Sequence, residues 1–270
     1  MPARLSFDNP NAKISSLSCG SRHSLALTAN GEVYSWGYQG ALGIEGKNEA
    51  GSPVRIPQEY FQNEKILSVS AADDFSIALG EKGNLYAWGD GLLSLPDFNV
   101  ESNVPVQSKL VEDLVSKRHA KITKITAIDQ FIILLLDNGR LYSFGKSKAG
   151  VFGARQNPLV LSDVDLKSFA KTYDELYKNE KIVDFEASSD ALIFRTETDK
   201  VFYNGMFDKY QPTPFPGNYT AKSIWATTSS VGIITPDNKL FYVNDRIIDD
   251  SEVVCSKSRL FECEDENFGR

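Results

Sequence analysis

The chain is poor in the residues that most often carry catalysis and cross-linking. Its 270 residues include only two histidines, three cysteines and two methionines. An odd number of cysteines in a chain of this length does not form a disulfide framework, which favours a reducing compartment. Two histidines also leave little material for general acid–base catalysis. We therefore expect neither a disulfide-stapled fold nor a histidine-based active site.

Basic charge and long apolar runs are scarce as well. Lysine and arginine number 29 against 36 acidic residues, the net charge is -7, and there is no long basic run. Proteins that bind nucleic acid gather basic residues on one face, so this balance argues against a nucleic-acid partner. The longest apolar run, residues 131–136, is far shorter than the roughly 20 residues of a membrane helix. The sequence therefore predicts no membrane span.

Residues 1–11 lack the apolar segment of a secretory signal. Together with the cysteine count, this predicts an intracellular, cytoplasmic protein. The cilium and the mitochondrion stay open as alternatives.

What the chain does contain is a repeat. Five pairs of residues are spaced 23 positions apart without insertion: Ile14 and Gly37, Ile66 and Gly89, Ile122 and Gly145, Ile182 and Gly205, Ala221 and Asn244. Each copy has an aliphatic–aromatic pair near its end: Val33-Tyr34, Leu85-Tyr86, Leu141-Tyr142, Val201-Phe202 and Leu240-Phe241. A fixed register of this kind indicates a repeat architecture.

The first copy has the pattern of a β-hairpin. Residues 24–27 and 32–36 are rich in strand-forming side chains and flank Asn30-Gly31, which is typical of a two-residue hairpin turn. A small residue follows five positions after the start of each copy: Cys19, Ala71, Ala127, Ala187 and Ala226. We expect this position to be crowded by a neighbouring copy, which makes Cys19 a packing residue.

A proline-containing strand follows each of the first four hairpins, at residues 53–56, 104–106, 158–161 and 212–215. Proline inside an apolar run belongs on a sheet edge, where its missing N–H is tolerated. An opening strand, two hairpin strands and this edge strand make four antiparallel strands, which is one propeller blade. The predicted fold is therefore an all-β propeller of about five four-stranded blades.

The first copy also contains a longer pattern, made of Cys19-Gly20, His23-Ser24, Ala26-Leu27, the run from Gly31 to Gly37, Gly40 and Leu42-Gly43. This pattern resembles the repeat of the regulator of chromosome condensation family. Copies two and three keep part of it, and it fades toward residue 244. The resemblance implies a β-propeller, usually of seven blades, whereas five copies are visible here.

The ends of the chain bear on how such a propeller is completed. Residues 2–5 are similar to residues 53–56, so we expect residues 2–7 to complete the fifth blade and close a ring. The alternative is an open arc that is completed by a partner or by strands from residues 245–270. The predicted domain is residues 1–250, followed by a polar, acidic tail over residues 251–270.

The residues with reactive side chains are better explained as structural residues than as parts of a catalytic, nucleotide-binding or metal site. His23 stands where other copies have Phe75, Phe131, Ala191 and Ser230, which predicts a buried structural histidine. Gly37, Gly40 and Gly43 have the wrong spacing for a nucleotide loop. Cys255 and Cys263 lack the close pairing of zinc ligands. We predict no catalytic, cofactor or metal site, and no enzyme.

Two insertions between copies have helical patterns. One covers residues 108–119 and the other covers residues 165–178. In the second insertion one stripe is formed by Phe169, Tyr173, Leu176 and Tyr177. The stripe either packs on the propeller flank or forms a partner-binding patch, and we take these four residues as the candidate partner-binding site.

These observations predict a non-catalytic β-propeller scaffold for protein–protein interaction, an adaptor or an accessory subunit of a larger assembly. The family resemblance implies the alternative, guanine-nucleotide exchange on a Ran-like small GTPase. That activity uses a β-wedge insertion and is accompanied by a basic tail, and neither is recognisable in this sequence.

Overall fold

The computed structural model describes residues 5–38, 40–90, 92, 98, 102–145, 162–163, 181–205, 213–217, 219–244 and 260–263. These residues form five four-stranded sheets, and the strands of each sheet are hydrogen-bonded in the order in which they follow along the chain. The first sheet shows the antiparallel pairing throughout. The predicted all-β architecture of four-stranded blades is confirmed. The chain divides into two compact units.

Unit 1 comprises residues 1–146 and 156–162. Sheet 1 contains β1 (Ile14–Cys19), β2 (His23–Thr28), β3 (Val33–Tyr38) and β4 (Glu49–Arg55). Sheet 2 contains β5 (Ile66–Ala71), β6 (Phe75–Gly80), β7 (Leu85–Gly89) and β8 (Ser102–Gln107). Sheet 3 contains β9 (Ile122–Ile128), β10 (Phe131–Leu136), β11 (Leu141–Gly145) and β12 (Ser162–Asp163).

Unit 2 comprises residues 147–155 and 163–270. Sheet 4 contains β13 (Ile182–Ala187), β14 (Ala191–Thr196), β15 (Val201–Gly205) and β16 (Thr213–Pro214). Sheet 5 contains β17 (Ser223–Ala226), β18 (Ser230–Ile234), β19 (Leu240–Asn244) and β20 (Leu260–Cys263). Its apolar core lies between the two sheets and includes Ile193, Tyr203, Ile224 and Ile233.

The hairpin loops are one residue longer than predicted. In sheet 1 the Thr28 N–H donates to Glu32 O, and the Gly31 N–H donates to Thr28 O, which leaves three residues in the loop. Gly31 has φ +85°, whereas Asn30 does not have a positive φ. A two-residue type I′ turn needs positive φ at both central residues, while a three-residue loop needs it only at the last. The last loop residues of the other four sheets also have a positive φ: Gly83, Gly139, Asp199 and Asn238.

The fourth strands confirm the edge-strand prediction in part. Proline lies in β4, β8 and β16, whereas the predicted strand at residues 158–161 lies outside the described residues and the strand of sheet 3 is Ser162–Asp163. The fourth strand of sheet 5 is Leu260–Cys263, which pairs with β19. The expectation that residues 2–7 complete this sheet is therefore wrong, because a segment of residues 251–270 already occupies the edge. Phe7 packs instead on Tyr34 of sheet 1.

The first predicted helical insertion is confirmed as α1 (Lys109–Arg118). Ser108 caps it by accepting from the Val111 N–H, and His119 ends it in the left-handed conformation. The second predicted helix, residues 165–178, lies outside the described residues. No helix in the described part of the chain has the length and hydropathy of a membrane span.

In unit 1 the core forms where one sheet stacks on the next. We call the front face of a sheet the side that carries the first, fourth and sixth residues of the repeat, and the back face the opposite side. The front face of sheet 2 is Ile66, Val69 and Ala71, and it belongs to one apolar cluster with Leu25 and Leu27 on the back face of sheet 1. Stacking of neighbouring blades therefore buries aliphatic side chains from both.

The joint between sheets 2 and 3 repeats this arrangement. Ile122, Ile125 and Ala127 form the front face of sheet 3, and they share a cluster with Ile77 and Leu79 of the back face of sheet 2. Burial of such aliphatic side chains stabilises a fold by roughly 1.5–3 kcal/mol each. The same repeat positions thus hold both joints together.

Candidate protein-binding surface

His23 is a buried structural residue, as the repeat predicts. It begins β2, it is 3% exposed, and its Nε2 lies 2.8 Å from Ser76 Oγ in sheet 2. Ser76 Oγ donates its single proton to Ala41 O at 3.2 Å, so the His23 Nε2–H is the donor to Ser76. Burial lowers the pKa of His23 to about 4, and the charge of Asp74 opposes part of this change. His23 is therefore a weak base inside the scaffold.

The glycines at the ends of the third strands are turn residues. Gly37 and Gly89 have φ of +114° and +122°. A Cβ at Gly37 would collide with Arg22 O, and a Cβ at Gly89 would collide with Asp74 O. These positions need glycine for the close approach of two strands, which supports the turn interpretation over a phosphate-binding loop.

A cleft of about 510 Å³ opens beside these turns, where strand ends of sheets 1 and 2 meet. Its lining residues are Arg22, Tyr38, Gly40, Asn48, Asp90 and Asn103. Tyr38 ends β3, its N–H donates to Arg22 O at 2.9 Å, and its side chain is 57% exposed. A Cβ at Gly40 would collide with the side-chain oxygens of Asp90 and Asn103, so glycine lets both acceptors approach the backbone.

The cleft combines opposite charges with neutral hydrogen-bonding groups. Arg22 supplies a cation, Asp90 an anion, Asn48 and Asn103 amides, and Tyr38 a phenol. Among the described residues no group of three His, Cys, Asp or Glu side chains could hold a metal ion. A half-exposed tyrosine between an arginine and amides is a composition typical of protein-binding surfaces.

The residues that line this cleft are not among the site residues predicted from the sequence. Phe169, Tyr173, Leu176 and Tyr177 lie outside the described residues. A signal for the cleft was nevertheless present, because Tyr38 directly follows the repeat glycine Gly37 where the second copy has Asp90 after Gly89. An exposed aromatic that departs from the repeat next to a structural glycine is a candidate for binding.

A tyrosine–carboxylate pair ties the segment before each of the first two blades to its third strand. Tyr34 Oη donates to Asp8 Oδ1 at 2.6 Å, and Tyr86 Oη donates to Glu64 Oε2 at 2.9 Å. Phe7 and Phe61 meet these tyrosines edge to face at 5.0 and 5.4 Å. The hydrogen bond from Tyr34 lowers the pKa of Asp8, whereas burial, followed by the bond to Asp8, raises the pKa of Tyr34.

The front face of sheet 1 differs from its counterparts. Ile14 and Leu17 are 37% and 65% exposed, and Cys19 is an exposed free thiol. The prediction that Cys19 is a packing residue is therefore wrong. Its equivalents Ala71 and Ala127 are buried because a preceding sheet covers them. No described residue covers Cys19 in this way.

The sequence matches two models of known repeats. Residues 14–41 and residues 30–79 each match a model described as Regulator of chromosome condensation (RCC1) repeat. The mouse regulator of chromosome condensation is 32% identical over 141 residues, which are 50% of this chain and 31% of that protein. The chain thus spans less than a third of the length of this relative.

Solved structures agree on the fold. The crystal structure of human WBSCR16 matches with a TM-score of 0.63 and 19% identity, over 81% of this chain and 57% of that chain. Prp20p from Saccharomyces cerevisiae matches with a TM-score of 0.53 and 20% identity, over 87% of this chain and 72% of that chain. These matches and the five four-stranded sheets show a β-propeller fold, and residues 14–79 carry the repeats that match the regulator of chromosome condensation models.

Proposed function

We propose that this chain is a non-catalytic β-propeller scaffold for protein–protein interaction, and that it works as an adaptor or an accessory subunit of a larger assembly. The cleft around Tyr38 is the observation that carries the proposal. Its residues lie at the joint of sheets 1 and 2, and they include an exposed aromatic ring with hydrogen-bond donors and acceptors. Tyrosine and arginine are enriched among the residues that dominate binding energy at protein interfaces.

The reactive groups of unit 1 support a scaffold rather than an enzyme. His23 is buried and tied to Ser76, and Glu64 accepts hydrogen bonds from Tyr86 Oη, Asn84 Nδ2 and the Lys82 N–H. These side chains are used to join strands and turns. A general base must reach the proton that it removes, and a residue enclosed in the joint of two sheets does not.

The second insertion remains a proposal for an additional contact. Phe169, Tyr173, Leu176 and Tyr177 share one stripe of a helical pattern, and aromatic residues at that spacing suit a partner-facing patch. We also place the protein in the cytoplasm, which the exposed thiol of Cys19 supports because exposed free cysteines persist in reducing compartments. Imaging of the tagged full chain in its native cells tests the compartment, and a secretory location would contradict it.

Purification from native cells with a tagged full chain tests the scaffold function. We expect wild type to recover a stable protein partner and Tyr38→Ala to lower its recovery by about tenfold, the equivalent of ~1.4 kcal/mol. Leu67→Ala is the matched control, because Leu67 is also an exposed apolar residue (54%) and lies outside the cleft. Both variants should keep the wild-type melting temperature. A wild-type chain that recovers no partner contradicts the proposal.

The alternative is guanine-nucleotide exchange on a Ran-like small GTPase. It is favoured by the match to the mouse regulator of chromosome condensation and to Prp20p, a protein that binds Gsp1p and histones. A nucleotide-release assay with a panel of small GTPases separates the two functions. We expect no acceleration with any member, and acceleration with one of them would favour exchange activity.

A further inference from the structure

We propose that the front face of sheet 1 is a docking site for a propeller blade that belongs to a separate protein chain. This front face consists of Ile14, Leu17 and Cys19 on β1. The proposal rests on the proposed function, because it names a surface and the kind of partner that the scaffold binds.

The exposure of this face is the first observation. Leu17 is 65% exposed, whereas Val69 and Ile125 at the same repeat position are 9% and 5% exposed. Ile14 is 37% exposed, whereas Ile66 is 1% exposed. Single exposed apolar residues are common on protein surfaces, but neighbouring ones on one strand face form a patch of the kind that binds a partner.

The covered joints show which apolar groups fit this face. Val69 and Ala71 belong to one cluster with Leu25 and Leu27, which β2 of the preceding sheet presents. The same relation holds between sheets 2 and 3. A partner that covers Leu17 therefore needs two aliphatic side chains on alternate residues of one strand, as the second strand of a blade supplies.

A hydrogen bond recurs at both covered joints. The Ala71 N–H donates to Ser18 Oγ at 2.9 Å, and the Ala127 N–H donates to Ser70 Oγ at 2.9 Å. In each case the first strand of the preceding sheet provides the hydroxyl. The Cys19 N–H occupies the same repeat position, and no hydroxyl among the described residues accepts from it. A buried N–H needs an acceptor, so the partner strand should carry serine or threonine there.

Sheet 1 already has the contacts that form the outer part of the covered joint between sheets 1 and 2. Phe7 and Asp8 contact Tyr34 as Phe61 and Glu64 contact Tyr86 at the covered joint. The segment before β1 therefore takes the course of the segment that joins two stacked blades. The inner part of the joint is exposed in sheet 1, whereas in sheets 2 and 3 the preceding blade covers this part of the front face.

The chemistry of this chain favours a separate protein over a second copy. The aliphatic side chain that Leu25 provides stands at the twelfth position of the repeat. The residues at this position in sheets 1 to 4 are fully buried: Leu25, Ile77, Ile133 and Ile193. Sheet 5 has Gly232 at that position and Trp225 where Ser18 and Ser70 provide a hydroxyl. Glycine offers no aliphatic side chain, and the indole N–H donates but does not accept. Sheet 5 thus keeps one aliphatic side chain, Ile234, but lacks the other aliphatic side chain and the hydroxyl that the face requires.

Site-specific crosslinking from the full chain tests the proposal. Leu17→p-benzoylphenylalanine is irradiated in native extract and in the purified chain, with Leu67→p-benzoylphenylalanine as the control. From position 17 we expect a crosslink to a strand of a partner's sheet that carries a nearby serine or threonine, and none from position 67. Leu17→Asp should lower partner recovery by about tenfold or more, and Leu67→Asp by less than about twofold.

Several results would overturn the inference. A crosslinked dimer of the purified chain would identify a second copy, and an internal crosslink to residues 221–244 would identify the chain's own sheet 5. A crosslink to a helix or loop of the partner would assign another class of contact. Partner recovery that Tyr38→Ala lowers but Leu17→Asp does not would reject the docking face and leave the proposed function intact. Failure of wild type to recover any partner rejects both.

Discussion

Sheets 2 and 3 bury on their front faces the residue type that sheet 1 exposes at the same repeat positions. Ile125 on sheet 3 lies in an apolar cluster, while Leu17 on sheet 1 faces solvent. The local strand geometry is the same, since β1, β5 and β9 pair with their second strands in equivalent registers. The difference shows that the repeat determines the fold of each blade. Burial of the front-face residues depends instead on whether a neighbouring sheet covers them.

The largest contrast should appear when the apolar residues are truncated. Ile125→Ala removes a buried side chain and leaves a cavity, so we expect it to lower the free energy of unfolding by about 3 kcal/mol. Leu17→Ala at the same repeat position should change it by less than about 0.5 kcal/mol in the free chain. Urea denaturation of both variants measures the difference. Equal losses would mean that the face of sheet 1 is covered in the free chain.

A second contrast uses the pH dependence of the joint between sheets 1 and 2. The pKa of His23 falls from 6.5 to about 4 on folding, so the unfolded state binds a proton first as the solution is acidified. The stabilisation is complete above pH 6.5 and is lost as the pH falls toward 4, which gives a loss of about 2 kcal/mol between pH 7 and pH 5.

The variant His23→Phe tests this assignment, because Phe75 and Phe131 occupy the same repeat position. His23→Phe should abolish the fall in unfolding free energy that His23 causes between pH 7 and pH 5. His119→Asn, a change at the exposed helix cap, should leave that fall in place. Unfolding free energies at pH 7 and pH 5 provide the comparison. An unchanged pH dependence in His23→Phe would show that the pKa of His23 is the same in the folded and unfolded states.

The smallest contrast concerns the hydroxyl that links two blades. Ser70→Ala deprives the buried Ala127 N–H of its acceptor and should cost about 1 kcal/mol. Ser68→Ala, two residues earlier on β5, is the control and should stay within about 0.5 kcal/mol. Denaturant titration distinguishes the two. A neutral Ser70→Ala would remove the polar requirement that we place on a partner of Cys19.

The sequence was sufficient for the parts of the fold that local periodicity determines. The spacing from Ile14 to Gly37 predicts the first three strands of a blade, because alternation and turn residues act within one hairpin. It also identifies His23 as structural. The loop length was missed because Asn-Gly suits both a two-residue turn and a three-residue loop with one positive φ.

Contacts between distant segments were beyond the sequence. Cys19 has the same small size as Ala71, and nothing in residues 14–37 tells whether another sheet covers it. The fourth strand of sheet 5, Leu260–Cys263, lacks the proline that marks β4, β8 and β16. The cleft at Tyr38 joins side chains from two blades, and most of its lining residues lie outside the 23-residue repeat, so no single pattern contains it.

The rate at which Cys19 is alkylated tests the central claim most directly, because the native thiol stands on the face in question. Mass spectrometry can follow the tryptic peptide of residues 14–22, which contains no other cysteine. We predict that Cys19 reacts at the rate of an exposed thiol in the purified chain and about tenfold or more slowly in the assembly isolated from native cells. Equal rates in the two samples would contradict the account.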